Sequence, residues 1–263
     1  IQTWRIDVTE LKEDFVPPSK DFIQECFDGF PHVPMRGDNY IPRDESEKKI
    51  EQALFGSYEA GSLWLTSPRR SGKTTMLFRV LDEYSYVKGR DDIVLYLTLN
   101  STYENQADFN AWIWKRVARA RENKKLQEQV PNLGVIRASA DIEDDVDMFV
   151  AEISEKLLEH SPSGARIYYV IDEVDRFAEM FLEGGAKRDL ATSIMWSLRN
   201  LISNEKNIGI LFAGSHAARR FFVTEPTSPF YNSIISLSLL PFDVDTPQNE
   251  KRTRDIVLPK RLA

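Results

Sequence analysis

Nine consecutive residues, Ser67, Pro68, Arg69, Arg70, Ser71, Gly72, Lys73, Thr74 and Thr75, constrain this chain more than any other segment. An apolar run, Leu63-Trp64-Leu65-Thr66, precedes them, and an amphipathic stretch over 74–84 follows. Strand, loop and helix in that order are what a phosphate-binding loop requires. Successive backbone N–H groups of such a loop curl round a β-phosphate, and the helix N-terminus adds partial positive charge. Lys73 then reaches the β- and γ-phosphates, and the Thr74 hydroxyl binds Mg2+. The pattern G-x-x-x-x-G-K-[ST] asks for glycine at position 67. This chain has serine there, a small residue that tolerates turns.

The 263 residues suit one large α/β domain, alone or with appendages. Hydrophobic residues make up 42% and charged residues 29%, enough apolar material for a sizeable core. The net charge of -7 excludes a whole-surface nucleic-acid binder, though a local basic strip could still contact phosphates. A single cysteine, Cys26, excludes an intrachain disulfide framework and fits a reducing cytoplasm. Its setting between Phe22 and Phe27 reads as a buried thiol. No apolar run reaches the roughly 18–20 residues of a membrane-spanning helix. The start has no signal-peptide pattern and the end closes no obvious element, so the chain reads as a segment of a longer protein.

Residues 1–43 carry Pro17, Pro18, Pro31, Pro34 and Pro42 and read as an irregular extension, with a short helix over about 19–28. A helix starts at Asp44, its expected N-cap, with Glu45 and Glu47 in the first turn and an apolar face of Ile50, Ala53, Leu54 and Tyr58. Strands are expected over 93–99, 167–171, 208–213 and 234–240. Helices are expected over about 108–130 and 141–160, with a loop over 131–139 between them. Another helix is marked by Leu190, Ile194, Leu198, Leu201 and Ile202. Strands alternating with helices predict a mainly parallel five-stranded sheet with helices on both faces, an α/β three-layer sandwich.

The second half of the site follows the 167–171 strand. Asp172 and Glu173 appear at its C-terminal end, where parallel sheets bind ligands. Asp172 is placed to hold Mg2+, and Glu173 to polarise the water that attacks a γ-phosphate. The guanine-reading Asn-Lys-x-Asp and the transporter-type Leu-Ser-Gly-Gly-Gln are both absent from the sequence. That leaves ATPases with an extra strand between the phosphate loop and the acidic strand, and residues 93–99 fill that place. The strand at 208–213 leads through Gly214 to Ser215, a γ-phosphate sensor candidate, with His216 as its substitute.

Together these segments resemble AAA+/STAND-type P-loop ATPases, in particular bacterial and archaeal families with a Pro-Arg-Arg-x-Gly-Lys-Thr-Thr loop. The match is carried by 68–75, by Val170-Ile-Asp-Glu-Val-Asp-Arg176, by Trp196-Ser-Leu-Arg-Asn-Leu-Ile202 ahead of Ala213-Gly-Ser215, and by Ser228-Pro-Phe-Tyr231. Upstream, Tyr40, Ile41, Pro42, Arg43 and Asp44 look like the short box that packs near adenine in those families. The resemblance covers about 29–242 and implies a P-loop NTPase core over 44–242 with sheet order 5-1-4-3-2. It also implies ATP with Mg2+ as ligand and homo-oligomers that complete the site with an arginine in trans. Arg219 and Arg220 sit where such a finger is carried. The expected lid is missing or barely begun at 243–263. Such families often serve as oligomeric or conformational switches with effector domains in prokaryotic defence or signalling. A nucleotide-stabilised scaffold that never turns over stays open, as does a DNA-directed ATPase of replication or transposition.

Lys115, Arg116, Arg119, Arg121, Lys124 and Lys125, with Trp112 and Trp114 beside them, form the basic cluster that bears on nucleic acid. Their positions run round the helix, the pattern of a solvated element, and the tryptophans read as core or interface anchors. Asp141, Glu143, Asp144, Asp145 and Asp147 gather at a helix start, where the macrodipole favours them. They lack the spacing of a calcium loop. Three histidines and one cysteine make no zinc site.

Overall fold

The computed structural model describes residues 43–68, 71–84, 92–99, 102–120 and 145–239. Outside the described residues lie the extension up to residue 42 with Cys26 and its expected helix, the 131–139 loop, the basic residues Arg121, Lys124 and Lys125, and the 243–263 segment.

Helix α1 is Asp44–Phe55. Asp44 is its first helical residue, not its cap: Arg43 holds the N-cap position without a side-chain cap bond. The side chain of Glu47 instead reaches back to accept the Arg43 N–H at 2.7 Å. Asp44, Glu45 and Glu47 thus place negative charge at the positive end of the helix. Ile50 and Leu54 are buried as the periodicity requires, but Tyr58 is fully exposed. The helix stops at Gly56 before Tyr58 can join that face, and Phe55 enters the core in its place.

Strand β1 (Leu63–Thr66) runs into the loop and helix α2 (Lys73–Tyr84), followed by β2 (Ile93–Thr98) and α3 (Gln106–Ala120). Next come α4 (Val146–Glu159), β3 (Ile167–Asp172), α5 (Asp175–Glu183), α6 (Gly185–Asn204), β4 (Ile208–Gly214) and the short α7 (His216–Arg219). A π-helical turn, Arg220–Thr224, and β5 (Ile235–Ser238) complete the order. Asp145 caps α4 by accepting the Met148 N–H. Gly184 and Gly185, both at positive φ, break α5 from α6.

All four strand pairings are parallel, in the order β2-β3-β4-β1-β5. Read from the other edge, that is the expected 5-1-4-3-2. Side chains alternate across the sheet, so β1, β2, β3 and β4 each feed two cores. Leu63, Leu65, Tyr168, Val170, Leu211 and Ala213 pack with Ile50, Leu54, Met76, Leu77 and Val80 of α1 and α2. Trp64, Ile93, Leu95, Ile167, Tyr169, Ile210 and Phe212 pack with residues of α3, α4, α5 and α6. The sheet is therefore the middle of three layers. β3 is buried at all six positions because both of its faces are covered.

Candidate functional site

Parallel register brings the strand ends together. Thr66 lies opposite Gly214, and Asp172 lies opposite both Thr98 and Ala213. Just beyond, the Ser67 N–H donates to the Gly214 carbonyl at 3.0 Å, and the Leu99 N–H to the Asp172 carbonyl at 3.0 Å. The phosphate loop, Asp172-Glu173 and Ser215 consequently share the C-terminal edge of the sheet. Gly214 cannot carry a side chain here, because a Cβ would meet the Val174 methyl at 2.5 Å. Gly72, at φ +78, turns the loop into α2, a conformation that only glycine adopts without strain. The Met76 N–H then closes the first helical bond on the Gly72 carbonyl at 3.0 Å.

Asp172, only 1% exposed, is the centre of the site. Lys73 Nζ lies 3.1 Å from its Oδ1. The Thr74 hydroxyl donates to Oδ2 at 2.8 Å, and the Tyr96 hydroxyl to the same oxygen at 2.6 Å. A backbone N–H, that of Glu173, donates to Oδ1 at 2.9 Å. A buried carboxylate without partners would be costly, and here both oxygens are satisfied. Tyr96 is the member that sequence reasoning missed. The sequence showed it only as a tyrosine within the apolar run of 93–99. Burial, with the Asp172 charge beside it, pushes the Tyr96 phenol far above its ordinary range, so the hydroxyl stays a donor.

Around the loop, the Arg43 guanidinium donates to the Ser71 carbonyl at 2.5 Å. The hydroxyls of Thr66, Ser67 and Ser71 are buried without a hydrogen-bond partner among the described residues. Orphaned donors beside a glycine turn and a helix N-terminus suit the oxygens of a phosphate. Thr74 and Asp172 pair a hydroxyl with a carboxylate, and such oxygen donors suit Mg2+, which takes few protein ligands. Thr75 is half-buried in the first turn of α2 and Pro68 is exposed, while Arg69, Arg70, Tyr40 and Ile41 lie outside the described residues.

Glu173 is exposed and holds a left-handed φ of +61. For a residue with a Cβ that conformation costs roughly 1–2 kcal/mol. Asp172 and Glu173 do not cap α5, whose N-cap is Val174 with no side-chain bond. Asp175 instead accepts the Ser215 N–H, at 3.2 and 3.1 Å, and the Ser215 hydroxyl. The same hydroxyl caps α7 by accepting the Ala217 N–H at 3.2 Å. Ser215 therefore stands at the loop edge with its hydroxyl engaged by Asp175, and His216 beside it is exposed. Arg219 buries an Nε that has no partner among the described residues, whereas Arg220 is exposed with Glu225 at 3.7 Å. In α3, Arg116 lies over the Trp112 ring at 5.8 Å, and Trp112 is buried as a core anchor. No helix among the described residues is long and apolar enough to cross a membrane.

A family profile described as an AAA domain matches residues 56–222, more than half of the chain. No curated protein matches the sequence. Among solved structures, a Walker-type ATPase of Pyrococcus abyssi superposes with TM-score 0.55 at 17% identity. The alignment covers 86% of this chain and 62% of that one, so the chain spans less than two thirds of that protein. The ORC2 protein of Aeropyrum pernix, in its ADPNP–ADP complexes, gives TM-score 0.47 at 16% identity over 77% of this chain and 50% of its own. At such identities the likeness is one of fold alone.

Proposed function

The chain belongs to the AAA domain family of P-loop ATPases, and from that premise we propose that it binds ATP with Mg2+ at this sheet edge and hydrolyses it under the control of assembly. The carrying observation is the convergence of Lys73 and Thr74 on Asp172, at 3.1 and 2.8 Å. These are the groups that a phosphate loop and an acidic strand must bring together. On binding, Lys73 exchanges its contact with Asp172 for the β- and γ-phosphates, and the loop N–H groups with Gly72 wrap the β-phosphate. Thr74 and Asp172 would hold the metal. Mg2+, when bound, neutralises charge on the phosphate oxygens. Arg43 is tied to the loop through the Ser71 carbonyl, and in this reading its segment packs near adenine. Glu173 accepts the proton of the attacking water, and its left-handed backbone is the kind of strain that functional positions retain. Ser215, held by Asp175, serves as the γ-phosphate sensor.

Turnover is slow in the isolated chain and is completed by a second copy that supplies Arg219 or Arg220. The output is a change of conformation or oligomeric state in a larger prokaryotic protein of defence or signalling, in the cytoplasm. The competing reading is a scaffold that binds nucleotide without hydrolysing it. Phosphate release from the unmodified chain and from Glu173→Gln, with ATP affinity measured alongside, separates the two. Loss of turnover by a factor of about 10²–10⁴ with affinity retained supports the enzyme. Equal release from both sinks it. DNA-stimulated turnover abolished by neutralising Arg116 and Arg119 would instead mark a DNA-directed ATPase. Mass with and without ATP reads the assembly.

A further inference from the structure

The three side chains that donate to Asp172 differ in what else the site asks of them. Lys73 and Thr74 stand at the start of α2 and, in the reading above, both turn to phosphate and metal. Tyr96 comes from the neighbouring strand β2 and has no such second task. Its position in the sheet is set by register opposite Val170, two residues before Asp172 on β3. Its ring packs on Phe78 of α2, with centroids 4.6 Å apart, and that contact limits the swing of the side chain. Its hydroxyl donates at 2.6 Å to Oδ2, the oxygen that also accepts from Thr74 at 2.8 Å. Once Lys73 leaves for the phosphates and the Thr74 oxygen turns to the metal, Tyr96 and the Glu173 N–H are the donors on the carboxylate with no second task among the described residues.

We propose that Tyr96 is a positioning residue for Asp172: its hydroxyl holds the carboxylate in the orientation that serves Mg2+ after Lys73 releases it. The inference rests on the reading of Asp172 as the metal-side carboxylate. An ionised carboxylate with a fixed outer partner is already oriented when the metal arrives, whereas a free one must be ordered at that moment. Outer partners of this kind typically change metal affinity 10–100-fold when removed. Tyr96→Phe deletes the hydroxyl and keeps the ring on Phe78, so the packing of β2 against α2 is preserved.

The test is a fluorescent ATP analogue, titrated onto the unmodified chain, Tyr96→Phe and Asp172→Asn, in EDTA and across a Mg2+ series. Tyr96→Phe should raise the Mg2+ concentration for half-maximal effect by about 10-fold, with affinity in EDTA unchanged. Tyr96→Leu, a second variant filling the same apolar face, carries the same expectation. A Mg2+ midpoint that moves in Asp172→Asn but not in the Tyr96 variants overturns the positioning role and leaves the metal reading standing. No movement in Asp172→Asn overturns both. An equal loss of affinity in EDTA and in Mg2+ shows that Tyr96 only supports the fold, and it too overturns the proposal.

Discussion

Two aspartates are buried against a cation at opposite ends of the same sheet, and they are built differently. Asp92 stands just before β2, 3% exposed, and faces Arg166 just before β3. The Arg166 fork meets it twice, Nε on Oδ1 at 3.3 Å and Nη2 on Oδ2 at 3.2 Å, and the Arg166 backbone N–H adds a third bond at 3.1 Å. Nη1 goes to the carbonyls of Ser57 and Glu59, so the guanidinium ties β2, β3 and the loop after α1 into one corner. Asp172 is equally buried, but its cation is a lysine with one contact at 3.1 Å. A planar fork is committed by geometry, whereas an ammonium on a four-carbon stem can change partners. One pair is closed by donors that belong to the fold, while the other holds groups that a ligand can take over. The difference separates a clamp from a binding site.

The same substitution at each cation should break the symmetry. Arg166→Met leaves Asp92 buried without its cation and removes the guanidinium from the Ser57 and Glu59 carbonyls. Breaking a buried pair in this way costs about 3–5 kcal/mol. Thermal unfolding should fall by on the order of 10 °C, with nucleotide affinity of the folded fraction unchanged. A melt within about 2 °C of the parent would mean that the corner carries no load. Lys73→Met should do the reverse. Loss of a charged hydrogen bond to phosphate, about 1.5–3 kcal/mol, weakens ATP binding roughly 10–100-fold, while the melting temperature falls less than in Arg166→Met, because Thr74, Tyr96 and the Glu173 N–H still donate to Asp172. Nucleotide titration by fluorescence or calorimetry measures it, and an unchanged affinity would remove Lys73 from the site.

Smaller effects lie at the start of α4, away from both pairs. Asp145→Ala removes one of the two carboxylates on the Met148 N–H, Asp147 being the other, and should cost at most about 1 kcal/mol, read by denaturant unfolding. Asp147 is the gentlest case. Hydrogen bonding to Asp145, then burial, then the Asp145 charge hold its carboxyl above the ordinary value. With a raised folded value the native state binds more protons in the window above that ordinary value, so stability falls as pH rises through it. Asp147→Asn should therefore give a small gain at neutral pH that disappears on acidification below the carboxylate range. A gain that persists in acid would show that charge is not its cause.

Much of the frame was legible because its signals are local. The apolar runs of β1 and β3, the glycine before Lys73 and the acids after Ile171 each report on their own neighbourhood. The order of the strands came with the resemblance that those segments carry. The apolar period that ran through Ile50 and Leu54 failed at Tyr58, because periodicity does not say where a helix ends; Gly56 did. Asp44 read as a cap by residue type, but the backbone placed the cap one residue earlier. In the site, loop and acids were visible, while the engagement of Ser215 by Asp175 and of Ser71 by Arg43 was not.

The sequence alone determined the phosphate loop, the acidic strand end and the alternation of strands and helices, since these are written in contiguous residues at fixed spacing. Tertiary structure decided which oxygen meets which donor. Thr74 and Asp172 are 98 positions apart, Tyr96 and Asp172 are 76, and Arg166 and Asp92 are 74. Hydrogen bonds at about 3 Å depend on register and rotamer, and neither leaves a periodic mark in the chain. Only the packed sheet could show that one buried aspartate is locked by an arginine fork while the other is held by groups able to let go.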